Sequence, residues 1–385
     1  MVQLDIQSLL RVMVEREASD LYIASGLSPA YRIKSNVIPL DQAALTAAEC
    51  QALAEACMNE KQRQQFEHDL EMNLALALPD IGRFRVNIFR QRGDAGLVIR
   101  KINTEVPNFD ALGLPDVLRK IMMEKRGLVI MVGATGSGKS TSLAAMIDYR
   151  NASKTGHIIT IEDPVEFIHP HKQCVITQRE VGTDTLTYKD ALKNTLRQAP
   201  DVILLGEIRD RETMEYGLEF AETGHLCMAT LHANNANQAL ERVLNFFPED
   251  THPQVRMNLA LNIRAIVSQR LVRTVDDGRA AAIEILINTP RISDLIDQWD
   301  ITEIKATMAQ GELYGMQTFD QNLIQLWKDG RIAKEEALAH ADSTNDVRLQ
   351  IKMEETKQAA VNKESPDETN IAAKENPNSS FTLSI

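Results

Sequence analysis

Leu128-Val129-Ile130-Met131-Val132-Gly133-Ala134-Thr135-Gly136-Ser137-Gly138-Lys139-Ser140 is the stretch on which the reading of this chain turns. A short apolar run reads as a buried strand, the G-x-x-x-x-G-K-S spacing comes immediately after it, and residues 141–149 read as a helix. That order is the context a phosphate-binding loop requires. Gly133, Gly136 and Gly138 let backbone N–H groups curl around phosphate oxygens, and the amino end of the helix adds partial positive charge. Lys139 reaches the terminal phosphates and Ser140 can ligate Mg²⁺. The predicted nucleotide-binding set is Gly133, Thr135, Gly136, Ser137, Gly138, Lys139, Ser140 and Thr141, with ATP and Mg²⁺ as the expected ligands.

Working outward, three more near-continuous apolar runs occur at 158–161, 202–205 and 226–231. Separated by helix-like segments, they predict buried parallel strands of an α/β sheet, whose ligands belong at the carboxyl ends of the strands. The run at 202–205 ends in Gly206-Glu207, where nucleotide hydrolases hold Mg²⁺ or its water, so Glu207 is a metal candidate. Arg209, Asp210 and Arg211 continue it, and a solvated salt-bridge cluster is an equal reading there. The run at 158–161 ends in Glu162-Asp163-Pro164-Val165-Glu166. Three carboxylates in so short a span repel one another, which is tolerated where they hold a cation or orient water. The last run is bracketed by His225 and His232. Their odd spacing would point them to opposite faces of a regular strand, which argues against a shared metal. Each is open to a structural role or to phosphate contact near neutral pH.

Upstream, Ile6, Leu9, Leu10 and Met13 fall at helical spacing, and 21–23 and 31–33 read as short strands split by Gly26 and Pro29. Thr46 and Glu49 have capping-box spacing ahead of an Ala/Leu helix, and strands are expected at 74–78 and 83–89. Residues 1–100 are thus expected to form one mixed α+β domain. In the strand at 83–89, Phe84, Val86 and Ile88 share one face and Arg83, Arg85 and Asn87 the other. The cationic face is either simply solvated or aimed at a phosphate. Pro107, Gly113 and Pro115 mark 101–115 as a linker. An ATPase domain with C-terminal helices is expected over 116–350, and a disordered polar tail over 351–385.

Composition bounds the partners. The chain has 385 residues, 44% of them apolar, and a net charge of −12, which argues weakly against a surface that gathers nucleic acid. Four cysteines with no Cys-x-x-Cys pair fit reduced thiols in a cytosol better than a disulfide framework or a zinc module. The first residues lack the pattern of a secretory signal, and no stretch reaches the ~18 apolar residues of a membrane span. A soluble chain without direct membrane insertion is expected.

Residues 133–140, 161–166, 201–210 and the pair Thr223-Gly224-His225 and Thr230-Leu231-His232 together resemble the Walker A, Asp box, Walker B and His box of the secretion-superfamily ATPases. Over about residues 5–340 the chain resembles the type IV pilus retraction ATPases of the PilT/PilU family. The resemblance implies an N-terminal PAS-like domain joined to a RecA-like P-loop ATPase domain. It also implies a homohexameric ring at the cytoplasmic, inner-membrane base of the pilus, with a PilT-like ATPase and the pilus platform protein as partners. It makes Glu166 the catalytic base for the attacking water and Glu207 the Walker B glutamate supporting Mg²⁺. His225 and His232 become catalytic-site histidines that couple nucleotide state to domain position. The segment 82–87 matches one whose arginines approach nucleotide phosphates, which favours Arg83 and Arg85 as nucleotide ligands.

In two departures from the PilT type the chain looks more like the PilU members of that family. Retraction motors of the PilT type carry an Ala-Ile-Arg-Asn-Leu-Ile-Arg-Glu-like segment, whereas Pro290-Arg291-Ile292-Ser293-Asp294-Leu295-Ile296-Asp297-Gln298 stands here, without the second arginine. The polar C-terminal stretch is also longer. The expected function is therefore a motor that drives or assists pilus retraction by Mg-ATP hydrolysis, with an accessory ring component dependent on a PilT-like partner as the alternative. A pilus-extension or type II secretion ATPase would usually carry a four-cysteine zinc module. A DNA-handling motor draws little support from an acidic chain with no aromatic-basic surface.

Overall fold

The computed structural model describes residues 5–33, 36–102 and 105–364. Its first helix, α1 (Ile6–Glu15), starts where the Asp5 carboxylate accepts the Ser8 N–H at 2.9 Å, and it buries the four apolar residues spaced for it. Strands β1 (Asp20–Ile23), β2 (Ala30–Ile33) and β3 (Asn36–Pro39) lead to α2 (Ala47–Cys57) and α3 (Glu60–Asp69). Both helices open with capping boxes, Thr46 with Glu49 and Asn59 with Gln62. Strands β4 (Glu71–Leu78), β5 (Gly82–Gln91) and β6 (Asp94–Ile102) complete a six-stranded sheet of order β3-β2-β1-β6-β5-β4, antiparallel between each pair of neighbours. On β5 the expected alternation holds: Phe84, Val86 and Ile88 are fully buried while Arg83, Arg85 and Asn87 stay partly exposed. Strands β3 and β6 and helix α3 are additions to the expected elements. β6 runs through the middle of the sheet, and its Ala-Gly start and Arg-Lys end hide the apolar Leu97, Val98 and Ile99 between them.

Beyond α4 (Val117–Met122) the second sheet begins. It comprises β7 (Gly127–Val132), β8 (Gly156–Glu162), β9 (Cys174–Glu180), β10 (Val202–Leu205), β11 (Leu226–Leu231), β12 (Ile263–Arg273) and β13 (Arg279–Ile287), in the order β13-β12-β7-β11-β10-β8-β9. The four runs seen in sequence are its parallel centre, and β9 and β12 extend it in parallel on either side. Helices α5 (Lys139–Ser153), α6 (Tyr188–Thr195), α7 (Arg211–Glu222), α8 (Ala236–Leu244) and α9 (His252–Asn262) punctuate the strands. α10 (Pro290–Gln298) and α11 (Ile301–Ala309) come after the last strand. Apolar residues fill both faces of this sheet, as a doubly covered parallel sheet requires, and form clusters separate from the one built on the N-terminal sheet. The fold is α/β, with an antiparallel N-terminal sheet and a parallel-rich second sheet.

Two expected boundaries shift. β6 takes in residues 101 and 102 of the expected linker, and Asn103 and Thr104 lie outside the described residues. In the remainder of the linker, Phe109 and Leu114 are buried in a cluster with α5 and the second sheet, and the Arg119 guanidinium lies 4.4 Å from the Phe109 ring centroid. Composition marked a tether here, but two apolar anchors convert it into packed structure. The expected tail over 351–385 is corrected as well. Helices α12 (Phe319–Lys328), α13 (Lys334–His340) and α14 (Thr344–Glu364) form a compact unit with residues 272–279, and α14 carries helix through Glu364. Fully buried Val347 and Ile351 anchor it, Lys328 and Lys334 pair with Glu354 and Glu355, and the Lys, Glu, Gln and Ala that looked disordered are good helix formers. Residues 365–385 of that tail lie outside the described residues, as do Met1–Leu4. No helix among the described residues is long and apolar enough to cross a membrane. All four cysteines are free and buried.

Candidate functional site

The loop between β7 and α5 closes at the carboxyl edge of the second sheet, next to the turns at the ends of β8, β10 and β11. Its close packing explains Gly133: a Cβ there would meet the Gln269 carbonyl oxygen at 2.5 Å, on a backbone with φ of +156°. Lys139 is the first residue of α5 and is only 8% exposed. Its Nζ donates to the carbonyl oxygens of Gly133 (2.8 Å) and Ala134 (3.0 Å). Burial pushes the ammonium below its ordinary range, and the charges of Glu207 and Glu166 draw it back up. Ser137 Oγ is buried without a hydrogen-bond partner among the described residues, Ser140 and Thr141 are half-buried, and Thr135 is exposed. An enclosed lysine, an orphaned hydroxyl and a glycine cradle fit the phosphates of a nucleotide, and the nearby carboxylates fit a hard cation.

The crowded acids after β8 separate by direction. Glu162 turns inward, where burial pushes its carboxyl up against the opposing hydrogen bonds from Thr160 Oγ1 (2.6 Å) and Gln178. Asp163 is exposed and faces Arg209 Nη1 at 3.7 Å. Glu166 is exposed and lies within electrostatic reach of Lys139. Glu207 is held at both oxygens, by Arg209 Nε at 2.6 Å and by His232 Nε2 at 3.0 Å. Of the charged residues after Glu207, Arg209 therefore belongs to the site, while Arg211 makes an exposed pair with Glu215 along α7. Gly206 is needed because β8 passes close by: a Cβ would sit 3.1 Å from Glu162 Cα.

The structure therefore brings Lys139, Glu166, Glu207 and His232 together and leaves His225 apart. His225 precedes β11 and His232 comes just after it, so the strand itself separates them. At the amino end of the strand His225 Nδ1 lies 3.2 Å from the Phe220 carbonyl oxygen, against the end of α7. This contact joins the end of α7 to the start of β11, at the opposite end of the strand from His232. Arg83 and Arg85 share the expected strand face. Arg83 Nη2 lies 3.8 Å from Glu180 Oε2 at the end of β9, and its Nε is buried with no partner among the described residues.

Three site residues carry no sequence signal. Gln269 on β12 donates to the Ser137 carbonyl oxygen at 2.9 Å and accepts from Ser142 Oγ at 2.8 Å, locking the loop to α5 and to a strand far along the chain. Tyr188 donates to the Ile161 carbonyl oxygen at 3.1 Å beneath the acid-bearing turns. His169 lines a cavity of about 30 Å³ with Ser140, Glu162 and Thr230, and its Nδ1 is buried without a partner among the described residues. Burial lowers its pKa to about 4.

Known proteins share this architecture. The family model described as type II/IV secretion system protein matches residues 1–374. The type IV pilus ATPase PilU of Pseudomonas aeruginosa is 55% identical over 91% of this chain and 92% of its own length. The type IV pilus retraction ATPase PilT of the same organism is 42% identical over 87% and 97%. Among solved structures, that of the pilus retraction motor PilT with bound ADP superposes with a TM-score of 0.84 at 40% identity, covering 89% of this chain and 99% of that one.

Proposed function

Because the chain belongs to the type II/IV secretion system protein family, in its PilT/PilU group, we propose that it is an ATP hydrolase that drives or assists retraction of type IV pili, the motion behind twitching. The observation that carries this reading is the convergence of Lys139, Glu166, Glu207 and His232 at one edge of the parallel sheet. Lys139 exchanges its carbonyl partners for terminal phosphate oxygens and balances their charge. Glu166, exposed beside it, accepts a proton from the attacking water. Glu207, clamped between Arg209 and His232, keeps a fixed orientation toward the phosphate end, and His232 transmits the state of that carboxylate to the loop after β11. Magnesium, held through Ser140 and supported by Glu207, would supply further charge neutralisation at the phosphates. Arg83 or Arg85 adds positive charge from the N-terminal sheet, and movement of that sheet against the second is the work stroke.

On this reading the working form is a homohexameric ring in the cytoplasm at the inner-membrane base of the pilus, docked on the platform protein. The domains are a PAS-like one over about 1–100 and a RecA-like one from about 116. Greater identity to PilU than to PilT, 55% against 42%, favours a second reading in which the ring works beside a PilT-like ATPase. Steady-state hydrolysis by the purified chain tests the first reading. Lys139→Ala and Glu166→Ala should each lower turnover by about a hundredfold or more. Turnover by Glu166→Ala at the unmutated rate would remove Glu166 as the base. Adding a PilT-like partner then separates an autonomous motor from an accessory one.

A further inference from the structure

Glu180 ends β9 in a position that the hydrolysis scheme leaves unused. The residue is 6% exposed, and its carboxylate is sparsely satisfied for a buried acid. Oε1 accepts from Thr183 Oγ1 at 3.2 Å, and Oε2 accepts the buried backbone N–H of Val165 at 3.1 Å. The same Oε2 faces Arg83 Nη2 of the N-terminal sheet at 3.8 Å, beyond hydrogen-bond length. That contact is electrostatic, so the guanidinium is attracted without being locked, and its buried Nε has no partner among the described residues.

The backbone beneath the carboxylate is fixed. The Glu180 N–H donates to Asp184 Oδ2 at 2.9 Å, the Asp184 N–H returns to the Glu180 carbonyl at 2.8 Å, and the Gly182 N–H closes the turn on the Thr185 carbonyl at 2.8 Å. One oxygen on a rigid turn thus serves two masters of different kind. Val165 is the residue before Glu166, so its N–H sets the path of the chain that carries the proposed base.

We propose that Glu180 is a positioning residue that couples Arg83 to Glu166, holding the Val165 N–H and the resting Arg83 guanidinium on one oxygen, so that transfer of Arg83 to a nucleotide phosphate resets the segment bearing Glu166. The inference rests on the reading of Arg83 as a phosphate ligand and Glu166 as the base. While Arg83 faces Glu180, it polarises Oε2 and weakens that oxygen as an acceptor for Val165. Once phosphate draws Arg83 away, Oε2 is left to the Val165 N–H alone and the bond tightens. Glu180 and phosphate thereby compete for one guanidinium, and the competition is felt one residue from the proposed base.

Binding of Mg-ATP to the full chain, measured by calorimetry, tests the competition. Glu180→Gln keeps an oxygen for Val165 and removes the charge that holds Arg83, so affinity should rise about fivefold. Arg83→Gln should weaken binding, and in that background Glu180→Gln should change nothing, because the guanidinium it released is gone. A full fivefold gain in the Arg83→Gln background, or no gain in the parent, overturns the inference. Unchanged binding by Arg83→Gln instead overturns the phosphate-ligand reading beneath it, and Lys139→Ala, which should abolish binding, checks the loop separately. Hydrogen exchange over residues 163–168 tests the anchor. Glu180→Ala should speed exchange at Val165 about tenfold or more while Glu180→Gln should not. Equal protection in the parent and Glu180→Ala overturns it. Should Glu180→Ala fail to fold, the Glu180→Gln and Arg83→Gln pair still decides.

Discussion

Lys139 already donates to two carbonyl oxygens of its own loop, so an incoming phosphate replaces partners rather than ordering a free side chain. That arrangement depends on Gln269, whose amide bridges the Ser137 carbonyl and the Ser142 hydroxyl in a buried setting. Gln269→Ala leaves both groups unpaired and should cost about 1 to 3 kcal/mol in denaturant unfolding, with weaker nucleotide binding alongside. His169 supplies a pH test. Its pKa in the folded chain is about 4 against an ordinary 6.5, because burial penalises the charged ring. The folded value lies below the unfolded one, so the neutral ring's contribution is complete above pH 6.5 and fades as pH falls towards 4. The full span is roughly 3 kcal/mol. His169→Gln has no such titration, so its unfolding free energy should fall less steeply between pH 6.5 and 4. At this scale the sequence disclosed what lies along the backbone, namely the loop and the acids after β8 and β10. It could not disclose Gln269 or the His232 to Glu207 contact, which join residues distant in the chain; the family resemblance set His225 beside His232, and the two lie at opposite ends of β11.

Among the elements, those with an uninterrupted signal were readable. The central parallel strands are continuous apolar runs because both faces are covered, and α2 announces itself by its capping box. Two strands of the second sheet were not: β9 alternates buried Cys174 and Ile176 with exposed Val175, and β12 breaks its apolar pattern with Ser268 and Gln269, both buried and both hydrogen-bonded. Helix α14 shows the opposite failure, since polar composition concealed two fully buried anchors. Ile351→Ala should therefore destabilise the unit formed by α12, α13 and α14 by about 2 to 4 kcal/mol. The loss would be read as an earlier melting of helical circular dichroism. A truly unstructured 351–364 would make that substitution silent.

For the molecule as a whole, the N-terminal sheet has its own hydrophobic cluster, while the phosphate loop is tied to the second sheet. A ligand that binds this loop in the folded chain and not in the unfolded one must stabilise it by mass action. Mg-ATP at a hundredfold excess over its Kd should add about 2.7 kcal/mol and raise the calorimetric transition of the second sheet, and Lys139→Ala should abolish the shift. The two-sheet plan was legible because the hydrophobic pattern changes character near residue 116. The junction was not, because Phe109 and Leu114 are too few to register as a periodic signal yet sufficient to pin the chain.

The burial of all four cysteines has a practical sequel. Desolvation raises each thiol's pKa, to about 12 for Cys57, so little thiolate is present at neutral pH and none is presented to a bulky electrophile. The native chain should therefore react slowly with maleimides, which a thiol titration before and after unfolding checks. One cysteine placed at exposed Ser153, at the far end of α5 from the phosphate loop, and another at exposed Arg92 could carry a fluorophore pair without first stripping the native thiols. Distances between helix α5 and the N-terminal sheet would then become observable during turnover, with little labelling expected at the buried native thiols.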